Sequence, residues 1–362
     1  MAGPLTGVRV LEFAGSAPTA FVGTVLSGLG ADVVRVDRAP GAAPDPGARP
    51  AENPLSRGRR SVALDLKTPA GVEQALALAE HADILVEGFR PGVAERLGIG
   101  PDAARARNPR LVYGRVSGWG QQGEWAGRAA HDLAVLALTG ALDTDPATGD
   151  PVLPPTAYLS SFAGGASVHV QALLAALHER ERSGLGQVVD TALADGAALI
   201  STLIHQWREV PGNHTVTDAP HYSLYRAADG RHLAVAAIEP KLYQNLLEQL
   251  GLADTDDLPD RTDPADWPAL RALIADRFAS RDRDHWAKVF DAVDAGVAPV
   301  LTAAEAAGHH QLAARGAFVT VGDSTVPQPA PPSRFDRTPA VPPSRAPLPG
   351  EHTDEVLAEW RH

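Results

Sequence analysis

Short apolar runs alternate with helical stretches over the first third of the chain, and this alternation constrains the fold more than any other feature. Residues 8–13 read as a buried strand, 18–29 as a helix with Gly28 and Gly30 near its stop, and 33–37 as a second strand. Residues 61–66 are a third strand. Thr68 and Pro69 then supply an N-cap and a helix-opening proline for a helix that runs to about His81. Residues 84–87 and 111–116 are further strands, with a helical turn between them. Strands that alternate with helices predict an α/β fold around a mostly parallel sheet, whose ligands sit beyond the carboxyl ends of the strands. The first turn, Ala14 to Thr19 (AGSAPT), lacks the G-x-G-x-x-G fingerprint and the chain has no P-loop, so a dinucleotide reading is disfavoured.

At 362 residues the chain is too long for one ordinary core, which predicts two domains. Residues 39–57, rich in Pro, Gly and Ala, read as an excursion loop. Residues 160–182 and 190–208 read as long helical stretches joined by residues 183–187 and a short strand. Residues 222–238 read as a hairpin with Asp229-Gly230 as a two-residue turn. The expected organisation is a large Rossmann-like domain over 1–208 and a small α+β domain over 209–325. A segment over 326–362 then returns to the large domain, Pro-rich and extended to 349 with a short helix at Thr353–Trp360.

The formal charge of −12 argues against a nucleic-acid or anionic-membrane partner, since both reward an excess of Lys and Arg. Cysteine is absent, which excludes a disulfide frame, a thiolate nucleophile and a Cys-based metal site. The thirteen histidines show no convincing metal-ligand spacing. No 18-residue apolar run and no signal-like N-terminus stand out, so a cytoplasmic location is expected. Asn213-His-Thr215 matches a glycosylation sequon, which that location makes a chance match.

The chemistry-bearing stretch is Arg115–Gly123 (RVSGWGQQG) followed by His131-Asp132. A strand runs into glycine-rich backbone, where a substrate can approach main-chain N–H groups, and a histidine able to move a proton at neutral pH follows. These residues belong to a longer set. Leu5–Glu12, Gly30–Arg38, Val62–Lys67, Val86–Gly98, Asn108–Tyr113, Gly186–Asp190 and Ala237–Pro240 complete it. With this set the chain resembles the class III CoA-transferase and α-methylacyl-CoA racemase family, the bacterial racemases nearest, over nearly its whole length.

The resemblance implies an interlocked, ring-like homodimer and a small-molecule acyl thioester as substrate. The coenzyme A moiety would be held by Arg38, Lys67 and Arg90, with no prosthetic group. It also implies an isomerase that transfers the proton α to a thioester carbonyl, with His131 as one base and Glu239 as its assisting carboxylate. The family's opposing Asp corresponds to Ser161, in the segment that runs from Pro154-Pro155 to Gly164-Gly165, and an expected Asn corresponds to Ala157. A serine hydroxyl is too weak a base to take a carbon-bound proton unaided and cannot form an acyl anhydride. Asp132 or Glu239 is therefore expected to orient His131. The enolate is expected to lean on main-chain N–H donors and on a helix end near Ser161, where the serine itself reads as an N-cap. The alternative is a one-base reaction (elimination, isomerisation or cyclisation) on an acyl thioester or a bulky natural product. Ser161 as an acyl-transfer nucleophile lacks a G-x-S-x-G elbow, and a non-catalytic binder is the remaining alternative.

Overall fold

The computed structural model describes residues 3–39, 53–142, 151, 158–208 and 219–360. Most of the predicted 39–57 loop, Pro154-Pro155, Ala157, the sequon and the 208/209 junction lie outside them. In chain order the elements are β1 (Arg9–Phe13), α1 (Ala17–Gly28), β2 (Asp32–Arg38), β3 (Arg60–Leu64), α2 (Pro69–Glu80) and β4 (Ile84–Glu87). They continue with α3 (Val93–Arg96), α4 (Pro101–Arg107), β5 (Val112–Ser117) and α5 (Asp132–Leu138). A π-helical segment, Tyr158–Ser167, leads into α6 (Val168–Ser183), followed by β6 (Val188–Ala192), α7 (Leu193–Ile200) and α8 (Thr202–Arg208). Next come β7 (Tyr222–Arg226), β8 (His232–Ala236), α9 (Pro240–Leu250), α10 (Trp267–Phe278), α11 (Arg283–Asp291), β9 (Val297–Pro299) and α12 (Ala303–Gly308). The chain closes with α13 (His310–Ala314), β10 (Phe318–Val319), β11 (Gln328–Pro329) and α14 (Thr353–Glu359). It divides into two compact units, Met1–Leu203 with His310–His362, and Ile204–His309.

The first unit is built on a six-stranded sheet in the order β3-β2-β1-β4-β5-β6, with every pairing parallel. Alternate strand residues face opposite ways, so one apolar run feeds two cores. Leu11, Phe13, Val36, Leu85 and Tyr113 meet α2 on one face, and Val10, Val33, Ile84 and Val112 meet α1 and α6 on the other. The 25-residue stretch Leu159–Ser183 is long and apolar enough to cross a membrane by length and composition, contrary to the expectation that no such run exists. Half of its most apolar window is buried inside the protein, where Val170, Leu173 and Ala176 join the second core.

The C-terminal segment covers the β3 edge, which would otherwise present open backbone groups. His352 donates its N–H to the Ser61 carbonyl at 2.9 Å, and its Nδ1 accepts from the Ser61 N–H at 3.2 Å. Thr353 Oγ1 accepts from the Ala63 N–H at 3.1 Å. Val356 and Trp360 complete the first core, the indole donating to Asp32 Oδ2 at 3.2 Å.

The second unit holds the antiparallel sheet β7-β8-β9. Its hairpin differs from the predicted two-residue turn. Ala227 N–H bonds the Arg231 carbonyl, leaving a three-residue loop in which Gly230 takes the left-handed position, φ 80°. Tyr225, Leu233, Val235, Leu246, Leu270, Ile274 and Phe278 form a core of their own.

Candidate active site

All six strands of the large sheet point the same way, so their carboxyl ends share one edge, and the strand order reverses between β1 and β4. A crevice at such a reversal is where open parallel sheets take ligands. Three cations line this edge. Arg38 is the last residue of β2, Lys67 follows β3, and Arg90 follows β4. β3 and β4 are three strand spacings apart, about 14 Å. All three side chains are exposed. Among the described residues the side chains of Lys67 and Arg90 make no hydrogen bond or ion pair. Guanidinium and ammonium groups set along one edge suit a polyanionic ligand.

His131 lies beyond the carboxyl end of β5. Its placement depends on Gly118, because a Cβ there would sit 1.9 Å from the Ala130 Cβ. The missing side chain lets the loop that leaves β5 fold back on itself and delivers His131 next to the strand end. Inside the loop, Trp119 and Trp125 meet edge to face at 5.2 Å and the Arg128 guanidinium lies over Trp125 at 4.5 Å. His131 is the N-cap residue of α5, in extended backbone, but its side chain does not cap the helix. The imidazole is exposed and without a hydrogen bond among the described residues.

Asp132, the first residue of α5, is engaged elsewhere. Its Oδ1 accepts from the Ser160 hydroxyl and from the Ser161 N–H at 2.8 Å, and its Oδ2 accepts from the Ser161 hydroxyl at 2.8 Å. Burial pushes the carboxyl up, but the hydrogen bonds from the two serines outweigh it and hold it below the usual range. Asp132 thus stays ionised at neutral pH and is a poor base. Ser161 is buried and lies inside the π-helical segment, not at a helix N-cap, and its N–H is already donated to Asp132. The predicted enolate donor at that position is therefore taken. Ser160 reaches Asp132 from 28 residues away in the chain, and no local sequence pattern specifies the bond.

The serines are fixed from behind. The π-helical segment lies so close to α7 that a Cβ on Gly196 would fall 1.8 Å from the Gly164 carbonyl oxygen. Glu239 belongs to the second unit. There it is the exposed N-cap residue of α9 and makes no capping bond through its side chain.

An open α/β sheet with a cationic carboxyl edge and an exposed histidine beyond one strand end is a geometry suited to an anionic ligand. The chain belongs to CoA-transferase family III, whose family model matches residues 5–353. It is 42% identical to the α-methylacyl-CoA racemase of Mus musculus, over 98% of this chain and 93% of the relative. It is 40% identical to the α-methylacyl-CoA racemase of Homo sapiens, over the same shares. Among solved structures, a CAIB/BAIF family protein from Brucella suis superposes with a TM-score of 0.84 at 25% identity, covering 99% of this chain and 100% of that one.

Proposed function

We propose that the protein is an isomerase of α-methylacyl-CoA racemase type, in which His131 exchanges the proton α to the thioester carbonyl. The observation that carries this reading is the state of His131. Its imidazole is exposed, unpaired and pinned at the carboxyl edge of the sheet by the Gly118–Ala130 contact. A neutral imidazole with a free nitrogen can take a proton from carbon once the carbonyl is polarised. Arg38, Lys67 and Arg90 would hold the coenzyme A phosphates and so anchor the acyl end. Glu239 would assist the histidine in a homodimer. The exposed Leu133 and Leu138 of α5, with Leu199 and Leu203 of α7 and α8, support such an association as apolar surface left uncovered in one chain. A cytoplasmic location belongs to the same reading.

Incubation with a single epimer of a 2-methylacyl-CoA in D2O tests it. Deuterium should enter at Cα in the wild type, and His131→Ala should lower that rate by at least about 100-fold. Absence of exchange across several acyl chains would overturn the reading.

The state of Ser161 favours a second reading. The residue that corresponds to the family's opposing Asp is a serine whose hydroxyl and N–H are both donated to Asp132. A site with one base suits elimination, double-bond migration or ring closure on an acyl thioester or bulky natural product. It would appear as a product of altered unsaturation or ring count in place of the second epimer.

A further inference from the structure

The segment from Glu87 to Glu95 carries Arg90 at the carboxyl edge of the sheet, and both its ends are tied to one side chain. Glu87 ends β4 and is fully buried. It lies opposite Arg115 in the β4–β5 register. The Arg115 guanidinium donates its Nε–H to Glu87 Oε1 at 2.8 Å. Its two outer nitrogens reach the carboxylate of Glu95, on α3, at 2.8 and 3.3 Å. The second oxygen of Glu87 accepts the Phe89 N–H at 2.7 Å, which bends the backbone just before Arg90. Phe89 then rests against Phe13 with ring centroids 6.1 Å apart.

One planar guanidinium thus bridges the start and end of this segment. Only an arginine has the donor fork for two carboxylates at once. Glu87 and Arg115 are both buried, so a gap in this triad leaves a charge without a partner. The group that the segment presents, Arg90, has no partner of its own among the described residues.

We infer that Arg115 is a positioning residue, which sets the reach of Arg90 toward the phosphates of the carrier by holding both ends of the segment that bears it. The inference rests on the reading of a coenzyme A thioester as substrate. Arg115 is bonded to both ends of the segment that bears Arg90, so its effect is expected on carrier binding rather than on proton transfer at Cα.

The test compares two substrates with the same 2-methylacyl group, one on coenzyme A and one on pantetheine, which lacks the phosphates. Arg115→Lys keeps the charge but cannot serve both carboxylates. Glu95→Gln loosens only the exposed end of the clamp and guards against misfolding of the first variant. Both should raise KM for the acyl-CoA about tenfold with little change in kcat, and leave the kinetics with acyl-pantetheine unmoved. Arg90→Ala should raise KM for the acyl-CoA as well, and adding Arg115→Lys to it should cost nothing further. Equal losses of kcat on both carriers, or additive effects in the double variant, would overturn the inference in favour of a purely structural clamp. If Arg90→Ala discriminates between the carriers and the clamp variants do not, the clamp alone fails. If the wild type treats both carriers alike, the coenzyme A reading fails and takes the inference with it.

Discussion

At the scale of single residues, the site turns on how Asp132 and Ser161 share their bonds. Ser161 donates through both its hydroxyl and its N–H, so Asp132 is a satisfied anion with little affinity for a proton. Ser161→Asp would remove one donor and set two carboxylates side by side. Like charges at that distance raise one of the two pKa values, which creates the basic group the native pair lacks. The variant should interconvert the two epimers of a 2-methylacyl-CoA at least about tenfold faster than wild type, at some cost in stability. Chiral chromatography of the hydrolysed product measures this, and an unchanged rate would count against a base at position 161. His131 was legible as a candidate from the glycine-rich strand end and the resemblance. The engagement of Asp132 was not, because its partners arrive from a distant segment.

A second residue-scale effect lies in the core. His169 on α6 is fully buried, with Nδ1 at 2.8 Å from Thr191 Oγ1 and Nε2 unpartnered. Burial pushes its pKa down to about 4. The unfolded chain, with a value near 6.5, therefore binds the proton more readily than the folded one. Stability is unaffected by this group above pH 6.5, falls as the pH drops from about 6.5 to about 4, and levels off below. Between pH 7.5 and 5 the loss should be roughly 2 kcal/mol, and His169→Asn should abolish that slope even while lowering stability overall. Urea unfolding at the two pH values measures it, and an equal slope in both proteins would refute the assignment.

At the scale of elements, most of the large sheet was legible because its strands are short apolar runs bounded by turn residues. β4 falls at 84–87 as read, and Thr68 caps α2 through a bond to the Gly71 N–H, with Pro69 at its first turn. Three things were not legible. The apolar run at 158–167 has no period that separates a π-helical from an α-helical backbone, and Ser161 changes role with that difference. The 190–208 stretch is a strand end and two helices that break at Ser201. β9, only Val297–Pro299, is too short to carry an alternation. The Gly164–Gly196 contact explains why the π-helical segment can sit where it does. Gly196→Ala would drive a methyl into the Gly164 carbonyl, which should cost roughly 2–4 kcal/mol and displace Ser160 and Ser161 together. Calorimetry should report the lower melting point, and α-deuterium exchange a loss of activity beyond that of Ser161→Ala.

At the scale of the molecule, charge and core are distributed unevenly. The chain carries a formal charge of −12, yet the carboxyl edge of the sheet presents Arg38, Lys67 and Arg90. A net-charge argument against nucleic acid thus leaves room for a small polyanion. The two units also depend differently on the C-terminus. The last helix closes the first core with Val356 and Trp360, both at most 1% exposed, and its entry residues pair the backbone of β3. The second unit, Ile204–His309, has a core built from its own residues. Ending the chain after Ala340 would strip the β3 edge and open a cavity the size of an indole. Losing Trp360 alone should cost about 3–5 kcal/mol. That is a large part of the stability of an ordinary domain, so the first unit should lose its protection while the second keeps it. Hydrogen exchange read by mass spectrometry separates the two. In the truncated chain, peptides from β1, β4 and β5 should exchange at once, and those from β8 and α10 at their full-length rates. Protection retained throughout the first unit would show that the C-terminal segment is an accessory strap, not a part of the core.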